Sequence, residues 1–187
     1  MEVLTLSEWR KTNITDVSKI KTEEDVKAHI ILPYLNYLGY PTEMMRFENS
    51  MDVQAGTKSI KVKSDIEIAV NGNIEIVLDA KAPNIALGDK QILQSISYAK
   101  LVSTPPAIYA IVCNGFDIAV TNIYSGKRVS VIPTYSQLLS DISRTRKKQL
   151  SEIEIREVSS LLLTLNNIDE LYKIINTCKN IIEKRGL

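Results

Sequence analysis

An α/β fold, a mixed central sheet flanked by helices, is what three features of this sequence predict. The runs KSDIEIAV (63–70) and NIEIVLDA (73–80) alternate apolar and polar residues and meet at Asn71-Gly72-Asn73, a hairpin turn signal. The run AIYAIVC (107–113) is short, apolar and rich in β-branched residues, as a buried strand is. Between them GDKQILQSISYAKLV (88–102) has helical spacing. Strand, helix, strand in that order is a crossover unit, so 74–81 and 107–113 should run parallel with a right-handed connection.

In chain order, Thr22 and Asp25 resemble a capping box that opens a helix over about 22–38. His29, the single histidine, lies in that helix beside Ile30-Ile31-Leu32 and is expected to pack at the core edge. From Val62 to Val70 the apolar positions are Val62, Ile66, Ile68 and Val70; from Ile74 to Ala80 they are Ile74, Ile76, Leu78 and Ala80. Both runs read as half-buried strands. Ala82-Pro83 ends the second one, because proline has no amide to donate. In the helix that follows, Ile92, Leu93, Ile96, Ala99 and Leu101 form the apolar stripe, with Gln91, Gln94, Tyr98 and Lys100 on or beside the other face. Pro105-Pro106 stops it. Phe116–Ile123 and Lys127–Ile132 extend the sheet through Ser125-Gly126. Arg144–Lys148 is a charge run, read as a solvated linker or helix end. Apolar spacing over 151–164 and 168–184 (Ile153, Ile155, Val158, Leu161, Leu162, then Ile168, Leu171, Ile174, Ile175, Cys178, Ile181) predicts two further helices.

Register decides where the acids go. A two-residue loop at Asn71-Gly72 pairs Val70 with Asn73 and sets Asp65 against Leu78. A three-residue loop pairs Val70 with Ile74, Ile68 with Ile76 and Ile66 with Leu78. Hydrophobic matching favours the second, which brings Asp65 opposite Asp79 and Lys63 opposite Lys81. Asp65, Asp79 and Lys81 then share one polar face. Two carboxylates directly opposite repel each other, and a divalent cation removes that repulsion. Carboxylate oxygens are the ligands Mg²⁺ accepts, with water and phosphate completing its shell. Lys81 points the same way and could polarise a phosphate or hold the attacking water. A surface hairpin with mixed charges is the plain alternative.

Composition limits the setting. The chain has 187 residues, 44% of them hydrophobic, which suits one domain plus an appendage. No apolar run is long enough for a membrane span and no signal peptide is visible, so a cytoplasmic protein is expected. Cys113 and Cys178 lack metal spacing and read as thiols in a reducing compartment. The net charge of +1 makes tight DNA binding depend on locally concentrated lysines (Lys58, Lys61, Lys63, Lys81, Lys90, Lys100) or on a partner. No Gly-rich phosphate loop occurs, which excludes a P-loop ATPase within these residues.

Four segments together resemble the PD-(D/E)xK nuclease superfamily, and within it the N-terminal nuclease domain of type I restriction endonuclease R subunits. They are Thr22-Glu23-Glu24-Asp25-Val26 with IILPYLNYLGY, then Asp65, then Asp79-x-Lys81, then Gln94-Ser-Ile-Ser-Tyr98. The resemblance spans roughly residues 20–135, with Asp79 where that family more often has Glu and Ser64 where it has Pro. It implies a restriction-endonuclease-like core over 20–136, after an N-terminal extension (1–19) and before a C-terminal helical segment (137–187). It also implies a Mg²⁺-dependent DNA endonuclease. Asp65 and Asp79 would hold the metal with the Ala80 carbonyl, and Lys81 would support the attack. Glu24 would join the catalytic acids, with Glu23 as the competing choice. Gln94 and Tyr98 would contact the DNA backbone. Double-stranded DNA and methyltransferase or specificity subunits, separate or fused, are the implied partners. The final stretch ELYKIINTCKNIIEKRG is similar to the segment that opens N6-adenine methyltransferase modules fused to nucleases. The alternative is a catalytically silent nuclease-like fold that docks a methyltransferase or helicase.

Overall fold

The computed structural model describes residues 3–55, 57–129, 131–163 and 168–184. The chain divides into two compact units, Met1–Ile142 and Ser143–Leu187. The first holds helix α1 (Leu6–Asn13), a helical segment made of α2 (Glu23–Val26), a π turn (Lys27–Ile31) and α3 (Leu32–Tyr37), strands β1–β8 and helix α4 (Asp89–Leu101). The strands are β1 (Met45–Phe47), β2 (Ser50–Ala55), β3 (Lys58–Lys63), β4 (Ile66–Val70), β5 (Asn73–Ala80), β6 (Tyr109–Cys113), β7 (Ile118–Asn122) and β8 (Arg128–Val129). Helix α5 (Tyr135–Leu163) begins in this unit, and α6 (Ile168–Lys184) lies in the second.

Six strands form one mixed sheet in the order β1-β4-β5-β6-β7-β8. The pair β5/β6 is parallel, as the crossover through α4 requires, and the other neighbours are antiparallel. β2 and β3 form a separate two-stranded ribbon. The strand expected over 62–70 is therefore broken at Ser64-Asp65. Lys63 ends the ribbon opposite Ser50 instead of facing Lys81. The break is a kink in one long hairpin: Glu48 N–H donates to the Asp65 carbonyl (3.0 Å) and Ser64 N–H to the Asn49 carbonyl (2.9 Å). Glu48 takes φ 52°, a left-handed value that turns the outer half away from the sheet.

The β4/β5 register combines both expected pairings. Asn71 (φ 51°) and Gly72 (φ 85°) make the two-residue loop, so Val70 pairs with Asn73 and Ala69 with Ile74. A bulge opposite Ile68/Ala69 then restores Ile68↔Ile76 and Ile66↔Leu78. The three-residue loop is not formed; the extra residue sits inside the strand, beside Glu75. One consequence is that Ile74 turns to the face of Val77, away from Ile76, Leu78 and Ala80.

Both faces are covered, so these strands are not half-buried. One face packs Ile66, Ile68, Ile76, Leu78 and Ala80 against Leu6 and Trp9 of α1 and Val26, Ile30, Tyr34 and Leu35 of the helical segment. Residues before Glu23 thus contribute to the main core. The other face packs Ile74, Val77 and Ala110 beneath Ala99 of α4. Ile92, Ser95 and Ala99 are the buried positions of α4, while Leu93 and Leu101 are exposed. The helical repeat explains the shift: 92, 95, 96 and 99 share a face, and 93 and 101 fall off it. The Ser95 hydroxyl donates to the Ile92 carbonyl (2.9 Å), which satisfies it in the core.

Arg144–Lys148 lies inside the long helix α5, not at a linker or a helix end. Ile153 and Ile155 are exposed, and of the α6 stripe Ile174 is buried and Ile175 exposed. The side chains of Val158, Leu161, Leu162, Ile168 and Leu171 lie outside the described residues. Among the described residues no helix is long and apolar enough to cross a membrane. His29 is exposed instead of packed, while Cys113 is buried in β6 and Cys178 half-buried.

Candidate active site

The C-terminal end of β5 carries Asp79, Ala80 and, just past the strand, Lys81. Pairing with β6 continues to Ala80↔Cys113, and Lys81 N–H donates to the Cys113 carbonyl at 2.8 Å. The backbone under Lys81 is thereby fixed although the strand has ended. Asp79 alternates with Val77 and so projects to the α4 face, where it is only 4% exposed. Ile66↔Leu78 is the last pair with β4, so Asp65 follows at the kink beside Asp79. Its Oδ2 accepts the Ala80 N–H at 2.7 Å. A backbone amide of one strand thus sets the carboxylate of the other.

Two lysines balance these acids. Lys81 Nζ is 2.6 Å from Oδ2 of Asp79. This charge-assisted contact is what the buried Oδ2 of Asp79 has in place of solvent. Burial, with Asp65 and Glu23 adding repulsion, pushes the Asp79 carboxyl up to about 6, although Lys81 pulls the other way. Burial opposes the Lys81 charge, but Asp79 outweighs it and the ammonium pKa lies above the ordinary lysine value.

The second lysine was not singled out from the sequence. Lys27, 8% exposed at the start of the π turn, has its Nζ 2.6 Å from Glu24, 3.4 Å from Oδ1 of Asp65 and 3.8 Å from Glu48. Burial disfavours its charge, but Glu24 and Asp65 more than compensate and raise its pKa. Glu48 also holds Lys63 at 3.0 Å, and with Lys63 leading, the lysines keep its carboxyl below the usual range. A signal for Lys27 did exist. It shares a helical stripe with Ile30, Ile31 and Tyr34, so a charge there has to be buried and paired.

Thr22 and Asp25 make the expected capping box, and Asp25 also takes the Lys21 N–H. The two acids between them part company. Glu24 is exposed and turned to Lys27, whereas the charge of Glu23 acts on both Asp79 and Lys81. Gln94 and Tyr98 share a face of α4, and Gln94 Nε2 donates to the Tyr98 hydroxyl at 2.6 Å. Tyr98 lines a small cleft with Asn49, Ser64, Glu67 and Ile74, towards the end of β5 remote from Lys81. Glu67 is buried there and accepts from the Ser64 hydroxyl (2.5 Å) and from Asn49 (2.8 Å).

The arrangement is a pair of carboxylates brought together by a strand pair, one of them buried and electrostatically unsettled, with a lysine alongside. Residues 22–135 match the family described as Type I restriction enzyme R protein N terminus (HSDR_N). The chain belongs to this family. The match spans the helical segment, the ribbon, the sheet and α4. A solved structure, a fragment assigned as an HsdR subunit of a type I restriction enzyme from Vibrio vulnificus, is similar in fold. It has a TM-score of 0.50 and 20% identity, over 64% of this chain and 25% of that one. This chain therefore spans about a quarter of that relative's length. Among curated proteins none matches it.

Proposed function

We propose that this chain is the nuclease module of a type I restriction R protein and hydrolyses phosphodiester bonds of double-stranded DNA with Mg²⁺. The observation that carries the reading is the junction of Asp65 and a nearly buried Asp79 on neighbouring strands, with the Lys81 ammonium against Asp79.

The donor set fits a hard cation. Among the described residues no three His, Cys, Asp or Glu side chains form a ready-made metal group. Mg²⁺ needs less than that, because it keeps several waters and binds through one or two carboxylates plus phosphate oxygens. Asp65 and Asp79 would hold it, with the Ala80 carbonyl as a main-chain donor and Glu23, whose charge already acts on Asp79, as a further acid in preference to Glu24, which is turned to Lys27. When bound, the cation would neutralise the facing carboxylates, acidify a water and offset charge on the phosphate.

The chain's own groups do the rest. The Ala80 amide fixes Asp65, and the Cys113 carbonyl fixes the backbone at Lys81. Lys81 cannot be a metal ligand while protonated, so its ammonium would turn to a phosphate oxygen and to the attacking water. Gln94 and Tyr98 would steady the DNA backbone from α4. Sequence recognition and DNA translocation would come from specificity, methyltransferase and motor components, fused or separate, in the cytoplasm.

The test is cleavage by the R protein that carries this segment, assembled with its partners and given Mg²⁺ and plasmid DNA. Wild type should cut, whereas Asp65→Ala, Asp79→Ala and chelated wild type should not. Cleavage at the wild-type rate by either variant would refute the assignment. Metal binding without any cleavage by wild type would favour the silent docking fold.

A further inference from the structure

Lys27 invites a question the catalytic reading leaves open: why a nearly buried ammonium should sit against a candidate metal ligand. Both oxygens of Asp65 are engaged. Oδ2 takes the Ala80 amide, and Oδ1 faces Lys27 Nζ at 3.4 Å. Oδ1 is thus the oxygen not committed to the backbone, and Lys27 covers it. The ammonium has two other anions in reach, Glu24 at 2.6 Å and Glu48 at 3.8 Å. It therefore has somewhere to go when Asp65 takes another cation. The backbone supports this placement. Lys27 opens a π turn (Lys27–Ile31), an irregularity of helices that is frequent at functional sites. Glu48, at φ 52°, stands at the hairpin kink whose other strand carries Asp65.

We propose that Lys27 is a built-in stand-in for the divalent cation: its ammonium occupies Oδ1 of Asp65 in the metal-free protein and withdraws to Glu24 and Glu48 when a metal ion binds. The inference rests on the proposed metal site and adds to it a residue that competes with the metal. Lys27 would thereby keep Asp65 ordered and neutralised before metal arrives. Its cost would be a weaker metal affinity than the acids alone would give.

The sign of that cost makes the idea testable. Mn²⁺ is titrated into the 187-residue chain and free ion is read by electron paramagnetic resonance. Lys27→Met should bind Mn²⁺ roughly three- to tenfold more tightly than wild type, from loss of one positive charge a few ångströms from a divalent ion in a partly solvated site. Lys27→Arg should stay near wild type. Lys63→Met removes a lysine that pairs with Glu48 and should change affinity less than about twofold, since its charge is solvent-screened. Should Lys27→Met not fold, Lys27→Gln carries the same expectation. Unchanged or weaker binding in the neutral variants, or equal tightening in Lys63→Met, would overturn the Lys27 proposal while leaving the metal site standing. A wild type that binds no Mn²⁺ would overturn both.

Discussion

Replacing Asp79 by Asn should make the metal-free protein more stable at neutral pH, and the gain should disappear in acid. The Asp79 carboxyl is raised from 3.8 to about 6 by burial and by the charges of Asp65 and Glu23, even with Lys81 at hand. A shift of about two units corresponds to about 3 kcal/mol between its protonation states, at ~1.4 kcal/mol per unit. The sign follows from linkage. Between 3.8 and about 6 the folded chain holds the proton more firmly than the unfolded chain does. Asp79 therefore contributes stability that is full below the unfolded value and is lost as pH rises through the folded one. Asn imitates the protonated acid, and in both Lys81 loses the Asp79 charge while keeping those of Glu23 and Asp65, so that loss largely cancels. Asp79→Asn and wild type should thus be about equal near pH 4, with the variant ahead by up to ~3 kcal/mol at pH 8. Asp16, Asp25, Glu8 and Glu48 act in the opposite sense, because hydrogen bonds and lysines lower their carboxyls. Their contribution is lost as pH falls through those lowered values, and it is common to both proteins. The assay is urea unfolding in chelator across pH 4–8, read by Trp9, the single tryptophan, buried in the main core. Parallel stability curves for the two proteins, or a less stable variant at pH 8, would mean that the ionised Asp79 carboxylate costs the fold nothing.

Lys81→Met should bind divalent metal at least as well as wild type yet cut no DNA, measured by calorimetry and plasmid cleavage. A loss of metal affinity would make Lys81 part of the metal's support. Gln94→Ala and Tyr98→Ala should slow cleavage and weaken DNA binding while metal affinity holds; reduced affinity in Gln94→Ala would bring that residue to the ion. Gly115→Ala tests the packing of the loop after β6. Gly115 has φ 85°, and an added Cβ would lie 2.7 Å from Ile30 Cδ1. Left-handed strain and that contact should together cost about 2–3 kcal/mol in urea unfolding, and a variant within 0.5 kcal/mol of wild type (roughly the scatter of neutral surface changes) would show that the loop shifts freely.

The parallel β5/β6 pair and the hairpin were legible because period-two runs, a helical run and a turn signal stood in the order a crossover needs. The bulge beside Glu75 was not legible, since alternation fixes which residues match but not where an extra one is absorbed. Burial of the second sheet face was hidden for a related reason. Glu67, Glu75 and Asp79 look like outward positions by alternation, yet all three are buried. Asp65, Asp79 and Lys81 could be grouped from register alone, and the kink at Ser64-Asp65 keeps Asp65 beside Asp79 while sending Lys63 elsewhere. Glu23 and Glu24 could not be separated by spacing, because neighbours on a helix point about 100° apart and the helix's rotation is set by its packing. Lys27 shows the reverse case: a charge on an apolar stripe was visible, but the acids it meets come from the distant hairpin kink.

Whether Asp65 and Asp79 hold one metal ion can be read from the manganese anomalous scattering of a crystal of the chain grown with Mn²⁺. One strong peak should lie within coordination distance of carboxylate oxygens from both Asp65 and Asp79, with the Lys81 ammonium on the same side and outside the metal's shell. A peak elsewhere, or none at these two aspartates at millimolar Mn²⁺, would contradict that shared site.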